Sequence, residues 1–359
     1  MAEQPAQTPA TLGFHMPAEW HPHQATWLSW PKDPETWPDR VPQVEEIYLQ
    51  MIAALAPHEI VNLLVDDMET EQTVREKCGP AIAANIRFHH LQTVDAWIRD
   101  YGPNFLIGPR GELAYNDWIF NAWGNKYEEL KKDDTIPRRL EPILKLRRFS
   151  PGIVMEGGSI EVNGAGCVLT SEQCLLHPNR NPGLSQTEIE QYLNGYLGVT
   201  KVLWLGEGIV GDDTDGHIDD IARFVAPDVI VCAIEDDPAD ANYEILQDNL
   251  ARLRSMTDAA GNSFEIATLP MPGIVGGEST TARDLERLPA SYANFYIANS
   301  VVLAPVFGHA NDARAVETLQ KFFPTRRVVP INCEPLVWGM GTIHCVTQQQ
   351  PQKSTEKNF

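Results

Sequence analysis

Strand-like segments alternate with amphipathic helices from residue 13 to residue 351, and this alternation predicts an α/β or α+β fold. Two further observations agree. Hydrophobic residues make up 43% of the chain and charged residues 21%, the balance of a globular protein with a substantial core. No Pro/Gly/Ser-rich linker interrupts the alternation, so residues 13–351 are expected to form one domain. A disordered leader at 1–12 and a polar tail at 352–359 would flank it.

The elements follow in order. After Pro42, apolar residues Val44, Ile47, Met51, Ile52 and Leu55 recur with helical spacing, and Pro57 ends the run. "EIVNLLV" then reads as a strand, "METEQTVREKC" as a helix and "IRFHHLQ" as a strand that leads into "DAWIRDYGPNF". Ser185 and Glu188 form a capping box for the helix "IEQYLNGYLG", and the strand "KVLWLG" follows. Asp240 is placed to cap "ANYEILQDNLARLRSM", which precedes "FEIATLPMP". Near the end, "ANFYIANSVVLAPVF" reads as two strands joined at Ala298-Asn299, followed by the helix "DARAVETLQKFF" and the strand "RRVVPI". The strand, helix, strand groups suggest internal repeats, although their spacing is too uneven to give a period.

With 28 Lys and Arg against 49 Asp and Glu, the net charge is −21. A field of that sign repels nucleic acid and attracts small cations. The cationic cluster between Lys126 and Arg148 is interrupted by acids and reads as a solvated face. No segment approaches the roughly 18 apolar residues of a membrane span. The N-terminal "MAEQPAQTPATLGF" lacks the basic and apolar regions of a secretory signal, so a cytoplasmic setting is expected. Six scattered cysteines then read as reduced thiols, most of them small core residues.

Four segments end or interrupt an apolar stretch with glycine and a titratable residue: "DAWIRDYGP", "VMEGGSIEV", "TDGHIDDIARF" and "GTIHCVTQQQP". Segments of this kind are where a scaffold presents chemistry. Local sequence alone favours a buried structural role for Cys345, yet its flanking glycines leave room for a substrate. His344 is a poor partner for that thiol, because adjacent side chains of an extended segment point to opposite faces. His217 and Asp219, read as strand positions i and i+2, would share a face. A solvated loop accounts for the acids of "GDDTDG" but not for these two residues at the mouth of "IARFVA". A surface ion pair with Arg99 remains open for Asp100, and a turn acid for Glu156.

Taken together, these groups suit one substrate class. Facing carboxylates can clamp a planar guanidinium, a thiolate can attack its carbon, and a histidine can protonate departing ammonia. Hydrolysis of a guanidine imino group fits that set.

"MPAEWHPHQATWLSWP", "DAWIRDYGP", "DWIFNAWG", "EGGSIEVNGAG", "GDDTDGHIDDIARF" and "HCVTQQQP" resemble the agmatine deiminases and bacterial-type peptidylarginine deiminases of the guanidino-modifying pentein superfamily. The resemblance runs in order from Gly13 to Pro351. It implies a five-bladed α/β propeller with pseudo-fivefold symmetry around an acidic funnel, with 13–351 as the catalytic domain. It also implies that Cys345 attacks the guanidinium carbon to form a covalent amidino thioether. His217 would be general acid and then general base, Asp100 and Asp219 would bind guanidinium nitrogens, and Glu156 would sit beside His217. No cofactor or metal is implied, and homo-oligomers are common among members. Trp97, Trp118 and Trp123 are candidates to wall the substrate channel, with core packing as the plain alternative. Gly124-Asn125 and Gly339-Met340-Gly341-Thr342 depart from the family pattern near the expected entrance.

An acidic protein suits the dication agmatine, giving N-carbamoylputrescine and ammonia, whereas free arginine would call for a cationic clamp on its carboxylate. Peptidylarginine is the alternative substrate. A metal-dependent amidohydrolase using His21, His23, His217 and Asp219 is disfavoured by the proline between the first two. A non-catalytic polyamine binder would leave Cys345 replaceable.

Overall fold

A computed structural model describes residues 7–276 and 287–353. Its strands form five small sheets that repeat one pattern. Blade 1 holds β1 (His23–Ser29), β2 (Ile60–Val65) and β3 (Ile86–His90). Blade 2 holds β4 (Asn104–Ile107), β5 (Leu113–Asn116) and β6 (Arg147–Phe149), and blade 3 holds β7 (Glu161–Val162), β8 (Cys167–Ser171) and β9 (Lys201–Leu205). Blade 4 holds β10 (Ala222–Ala226), β11 (Val229–Ile234) and β12 (Glu265–Pro270). Blade 5 holds β13 (Tyr296–Ile297), β14 (Val301–Val306) and β15 (Arg327–Asn332), and the last strand, β16 (Gln348–Pro351), returns to blade 1 beside β1.

In every blade an entering strand pairs antiparallel with a central strand, and a helical crossover then adds a parallel third strand. The repeat is therefore strand, strand, helix, strand, the unit behind the uneven groups of the sequence. Blade 1 is assembled from both ends of the described chain, and Gln350 Oε1 accepts from Trp27 Nε1 at 2.9 Å across that closure. The architecture is the five-bladed α/β propeller that the resemblance implies.

The crossover helices follow their apolar spacing. Val41–Leu55 buries Val44, Ile47, Tyr48, Met51, Ile52 and Leu55 under blade 1. Met68–Ala83 is broken at Gly79 (φ 74°) and Pro80, just past the predicted end at Cys78. The Ser185–Glu188 capping box opens Gln186–Leu197 as read. Asp240 sits two residues early: Asn242 is the N-cap of Tyr243–Ser255, and Asp240 Oδ1 accepts from its N–H at 2.8 Å. Among the described residues no helix is long and apolar enough to cross a membrane.

Two expectations are corrected. The leader is not wholly detached: Ala10–Leu12 forms a 3-10 turn closed by Gly13, and Leu12 packs on the core shared by blades 2 and 3, while residues 1–6 lie outside the described part. The tail beyond Lys353 lies outside it too. The segment from Lys126 to Arg148 is not merely a solvated face. It forms Glu129–Thr135 and Ile136–Leu144, and buried Asp133 accepts from the N–H groups of Val94 (2.7 Å) and Asp95 (2.9 Å).

Candidate active site

The segment entering the first strand of each blade carries one polar side chain to the axis. These are Asp100 before β4, Glu156 before β7, Asp219 before β10, Asn294 before β13 and Cys345 before β16. Neighbouring blades are tied together there. Arg99 N–H donates to Cys345 O at 3.2 Å, and Gly158 N–H to Asp100 Oδ1 at 2.9 Å. Phe224 N–H donates to Glu161 Oε1 at 3.1 Å, and Asn294 Nδ2 to Asp220 Oδ1 at 3.1 Å and to Cys345 Sγ at 3.2 Å. The ring closes because β16 belongs to blade 1.

Gly158 shows how tightly this ring is drawn. A Cβ there would stand 2.7 Å from His217 Nδ1, 2.9 Å from Asp100 Oδ1 and 3.0 Å from Asp219 Oδ2. Glycine is required by the approach of three functional groups, not by a turn dihedral. Gly341 plays the same part at the thiol, since a Cβ would lie 3.1 Å from Cys345 Sγ and 2.7 Å from the Trp97 ring.

The structure brings Cys345, His217, Asp219, Asp100 and Glu156 together, all buried. Their local conformations differ from the sequence reading in one respect. His217 and Asp219 are not strand neighbours; His217 caps the 3-10 turn Ile218–Asp220, and the strand begins afterwards at Ala222. Asp212 causes this: its Oδ2 accepts from the N–H groups of Gly216 (2.9 Å) and His217 (3.0 Å), folding "GDDTDGH" back on itself.

Cys345 also lies in a turn, not in extended chain. His344 still points away from the thiol. Its Nδ1 lies 2.6 Å from Asp219 Oδ2 and its Nε2 2.8 Å from Glu19 Oε2.

Above the thiol opens a cavity of about 520 Å³ whose walls include Asp33, Glu35, Asp95, Asp100, Glu128 and Asp213. Among the described residues its one basic wall residue, Lys126, already pairs with Asp213 at 3.3 Å and Asp215 at 2.9 Å. Gly339, Met340, Gly341, Trp97 and Trp123 complete the wall, whereas Gly124-Asn125 does not line it. Trp97 donates from Nε1 to Asp95 Oδ2 at 2.9 Å. Trp123 donates from Nε1 to Asp100 Oδ2 at 2.9 Å. Residues Ala122, Trp123, Gly124 and Asn125 all have positive φ (54°, 51°, 89° and 66°). For the non-glycine members this costs roughly 1–2 kcal/mol each, and the resulting turn places the indole on Asp100. Trp118 is corrected: it packs in the core of blades 2 and 3 against Tyr196, with ring centroids 5.6 Å apart, and takes no part in the wall.

Electrostatically the site acids fall into two kinds: Glu156 meets the Arg180 guanidinium and Asp219 the His344 ring, while Asp100 and Asp220 meet neutral donors. Burial, then the charges of Asp219 and Glu156, push Asp100 well above the carboxylate range. Burial, then Asp219 and Asp212, does the same to Asp220. Burial followed by Asp219, Asp220 and Asp100 pushes the Cys345 thiol far up. Burial brings His217 down to about 3. Among the described residues His217 Nε2, Glu156 Oε2 and Asp219 Oδ1 have no hydrogen-bond partner.

Among the described residues, Glu156, Cys174 and His217 each bring a ligand atom within 4.8 Å of the others. Arg180 already occupies Glu156, with Nε 2.7 Å from Oε1, so a cation there would meet a fixed guanidinium. His23 is spent elsewhere, on Glu59 Oε1 (3.2 Å) and Glu19 O (2.7 Å), which removes the His21–His23 metal pair.

Sequence reasoning missed Asn294, Glu19, Arg180 and the part played by His344. Asn294 was detectable only once five blades were aligned, since "SYANFYI" enters its blade as "RDYGPNF" enters another.

A five-bladed propeller carrying a buried thiol, an imidazole and converging carboxylates on its axis is of the pentein type. The chain belongs to the Porphyromonas-type peptidyl-arginine deiminase family, whose match spans residues 15–351. It is 39% identical to the agmatine deiminase of Ectopseudomonas mendocina over 96% of this chain and 97% of that one. Among solved structures, the agmatine deiminase of Enterococcus faecalis superposes with a TM-score of 0.89 at 36% identity, covering 98% of this chain and 99% of that one. An agmatine deiminase of C. jejuni with substrate bound is similar at a TM-score of 0.84 and 28% identity, over 95% and 97% of the two chains.

Proposed function

We propose that the chain is an agmatine deiminase, hydrolysing agmatine to N-carbamoylputrescine and ammonia through a covalent intermediate on Cys345. The names and near-complete coverage of the E. mendocina and E. faecalis relatives support the substrate. The observation that carries the reading is that the thiol lies at the base of an acidic cavity among Asp100, Asp219 and Asp220, with Asp100 and Asp220 meeting only neutral donors. A bound guanidinium supplies the cation that these groups lack.

The chemistry follows from that field. At rest Cys345 is a neutral thiol and His217 a neutral ring. A guanidinium held by Asp100 and Asp219 reverses the local potential, so the thiol proton passes to His217 and the thiolate attacks the guanidinium carbon. Asn294 Nδ2 holds the sulfur in place. His217 returns the proton to the departing nitrogen, ammonia leaves, and a cationic amidino thioether remains. His217 then takes a proton from water as its oxygen bonds to that carbon. The C–S bond breaks, the hydroxyl proton of the adduct passes to solvent as the neutral ureido product departs, and His217 gives its proton back to sulfur. Glu156, fixed by Arg180, stands beside His217 to support the protonated ring. Such a nucleophile must remain reduced, which suits a cytoplasmic setting.

Agmatine is favoured over free arginine because Lys126, the basic residue of the wall among the described residues, is already paired with Asp213 and Asp215 and so is not free for a substrate carboxylate. The test is ammonia release from agmatine, free arginine and an arginine-containing peptide offered separately, with Cys345→Ala as control. Turnover of agmatine that vanishes in the variant is expected. Preference for the peptide or arginine would move the substrate and keep the mechanism; full activity in Cys345→Ala would sink the mechanism.

A further inference from the structure

We infer that His344 is a positioning residue held as a doubly protonated imidazolium between Glu19 and Asp219, and that its charge keeps Asp219 the permanently ionised member of the substrate clamp. The inference rests on the proposed guanidine reaction for its purpose but on independent geometry for its content.

The ring is buried, with each nitrogen against a carboxylate oxygen, at 2.6 Å to Asp219 and 2.8 Å to Glu19. Ionised carboxylates only accept. A neutral ring donates from one nitrogen and would press its other lone pair against an oxygen. Only the imidazolium donates to both. A protonated carboxyl could relieve that conflict, but neither acid is the place for the proton. Burial raises Glu19, yet Arg223, His344 and Arg99 together hold it below the ordinary range, through contacts of 3.0 Å to Arg223 Nη2 and 3.3 Å to Arg99 Nη2. Burial also works against Asp219, and the contact with His344, with Arg223 adding to it, brings it below its usual value.

The backbone of His344 is equally constrained. Its N–H donates to Asn294 Oδ1 at 2.9 Å, and its carbonyl accepts from Arg99 Nε at 3.2 Å. One turn thus fixes both the nucleophile and the charge of an acid beside it. Asp100 has no such partner: Gly158 N–H and Trp123 Nε1 are neutral donors. The two clamp carboxylates therefore differ in kind. Asp219 brings a fixed charge to the guanidinium, and Asp100 acquires its charge as the guanidinium arrives.

The groups facing the ring are Glu19 from the segment before β1, Asp219 from the turn before β10, and, one contact further, Arg99, Arg223 and Glu161. The first test needs no variant. Ring ¹⁵N NMR of histidine-labelled protein at neutral pH, with His344 assigned through its own backbone, is expected to show a proton on each ring nitrogen, as the two carboxylate contacts require. One deprotonated nitrogen at neutral pH overturns the inference, whatever the substrate proves to be.

The second test is His344→Asn, whose amide can replace the donor to Asp219 without its charge. Losing the cation raises the proton affinity of Asp219. The acid limb of kcat/KM should then move upward by about one pH unit, with KM on that limb up by roughly 10-fold and kcat at high pH within about threefold of the parent. A uniform fall in kcat with the limb unmoved would reduce His344 to a structural role. Should the protein turn over no agmatine at all, the proposed function fails while the NMR result still decides the state of the ring.

Discussion

Two layers of charge lie side by side on the propeller axis, and consecutive residues alternate between them. Arg99 and His344 belong to the inner hub; their neighbours Asp100 and Cys345 belong to the cavity. In the hub, Glu19 meets two guanidinium groups, an imidazole and the N–H of Ile297 at 2.7 Å. It is held below the ordinary carboxylate range. In the cavity layer, Asp100 is as deeply buried, meets only neutral donors and is pushed well above that range. Burial is common to both, so the difference lies in where the cations were placed. The fold supplies cations to the hub acid Glu19 and leaves Asp100 of the cavity layer with neutral donors.

Activity gives the sharpest test. Asp100→Asn keeps size and most hydrogen bonds but removes the anion induced by the guanidinium, and kcat/KM for agmatine is expected to fall by about 10²–10³-fold. A loss under about fivefold would mean that the cavity acids are as passive as the hub acids.

Stability should respond in opposite directions. Glu19→Gln leaves Arg99, Arg223 and His344 short of their shared anion, at a cost of roughly 3–5 kcal/mol. The depressed acid contributes stability that is present above its unfolded pKa and lost as pH falls through its folded value. The penalty of Glu19→Gln should therefore shrink in acid. Asp100 has the reverse sign: its raised carboxyl favours the fold below its unfolded pKa, and that contribution is lost as pH rises through the folded value. At neutral pH Asp100→Asn should be more stable than the parent by about 0.5–2 kcal/mol. Thermal melts of the two variants across pH measure this, and a loss of stability in both would break the contrast.

Positioning of the sulfur gives a smaller effect. Asn294→Ala deletes the donor to Sγ and the acceptor for Thr342 Oγ1 (2.7 Å) and His344 N–H. A fall in kcat of roughly 10–100-fold with KM changed less than about threefold is expected from single-turnover and steady-state assays. A change confined to KM would place Asn294 among the binding groups.

The cavity layer was largely legible in the sequence and the hub was not. Asp100, Glu156, His217, Asp219 and Cys345 sit in glycine-containing segments at strand entrances, where a titratable side chain interrupts an apolar pattern. Glu19 and Arg223 carry no such local mark, because their charged partners are 62 to 325 positions away along the chain. The conformation of "GHIDD" was misread since the Asp212 side chain, not strand periodicity, sets it. Trp118 was indistinguishable from Trp97 and Trp123 by composition, and only packing separates the core indole from the two bonded to Asp95 and Asp100.

Asp95 tests whether the contrast extends up the cavity wall. Its carboxylate accepts from Thr36 Oγ1 (2.6 Å), Ala96 N–H (2.7 Å) and Trp97 Nε1 (2.9 Å). Burial outweighs these donors and brings it up to about 7, with Asp33 adding to the rise. It is mostly neutral below that pH and anionic above it. A cationic substrate in this cavity then gains attraction as pH climbs, and KM for agmatine should fall by roughly threefold to 10-fold between about pH 6 and about pH 8. Asp95→Asn should flatten that dependence while leaving the pH profile of kcat in place. A KM that follows pH equally in the variant would assign the gain to another acid of the wall, with Asp95 then serving only to hold Trp97 and Thr36.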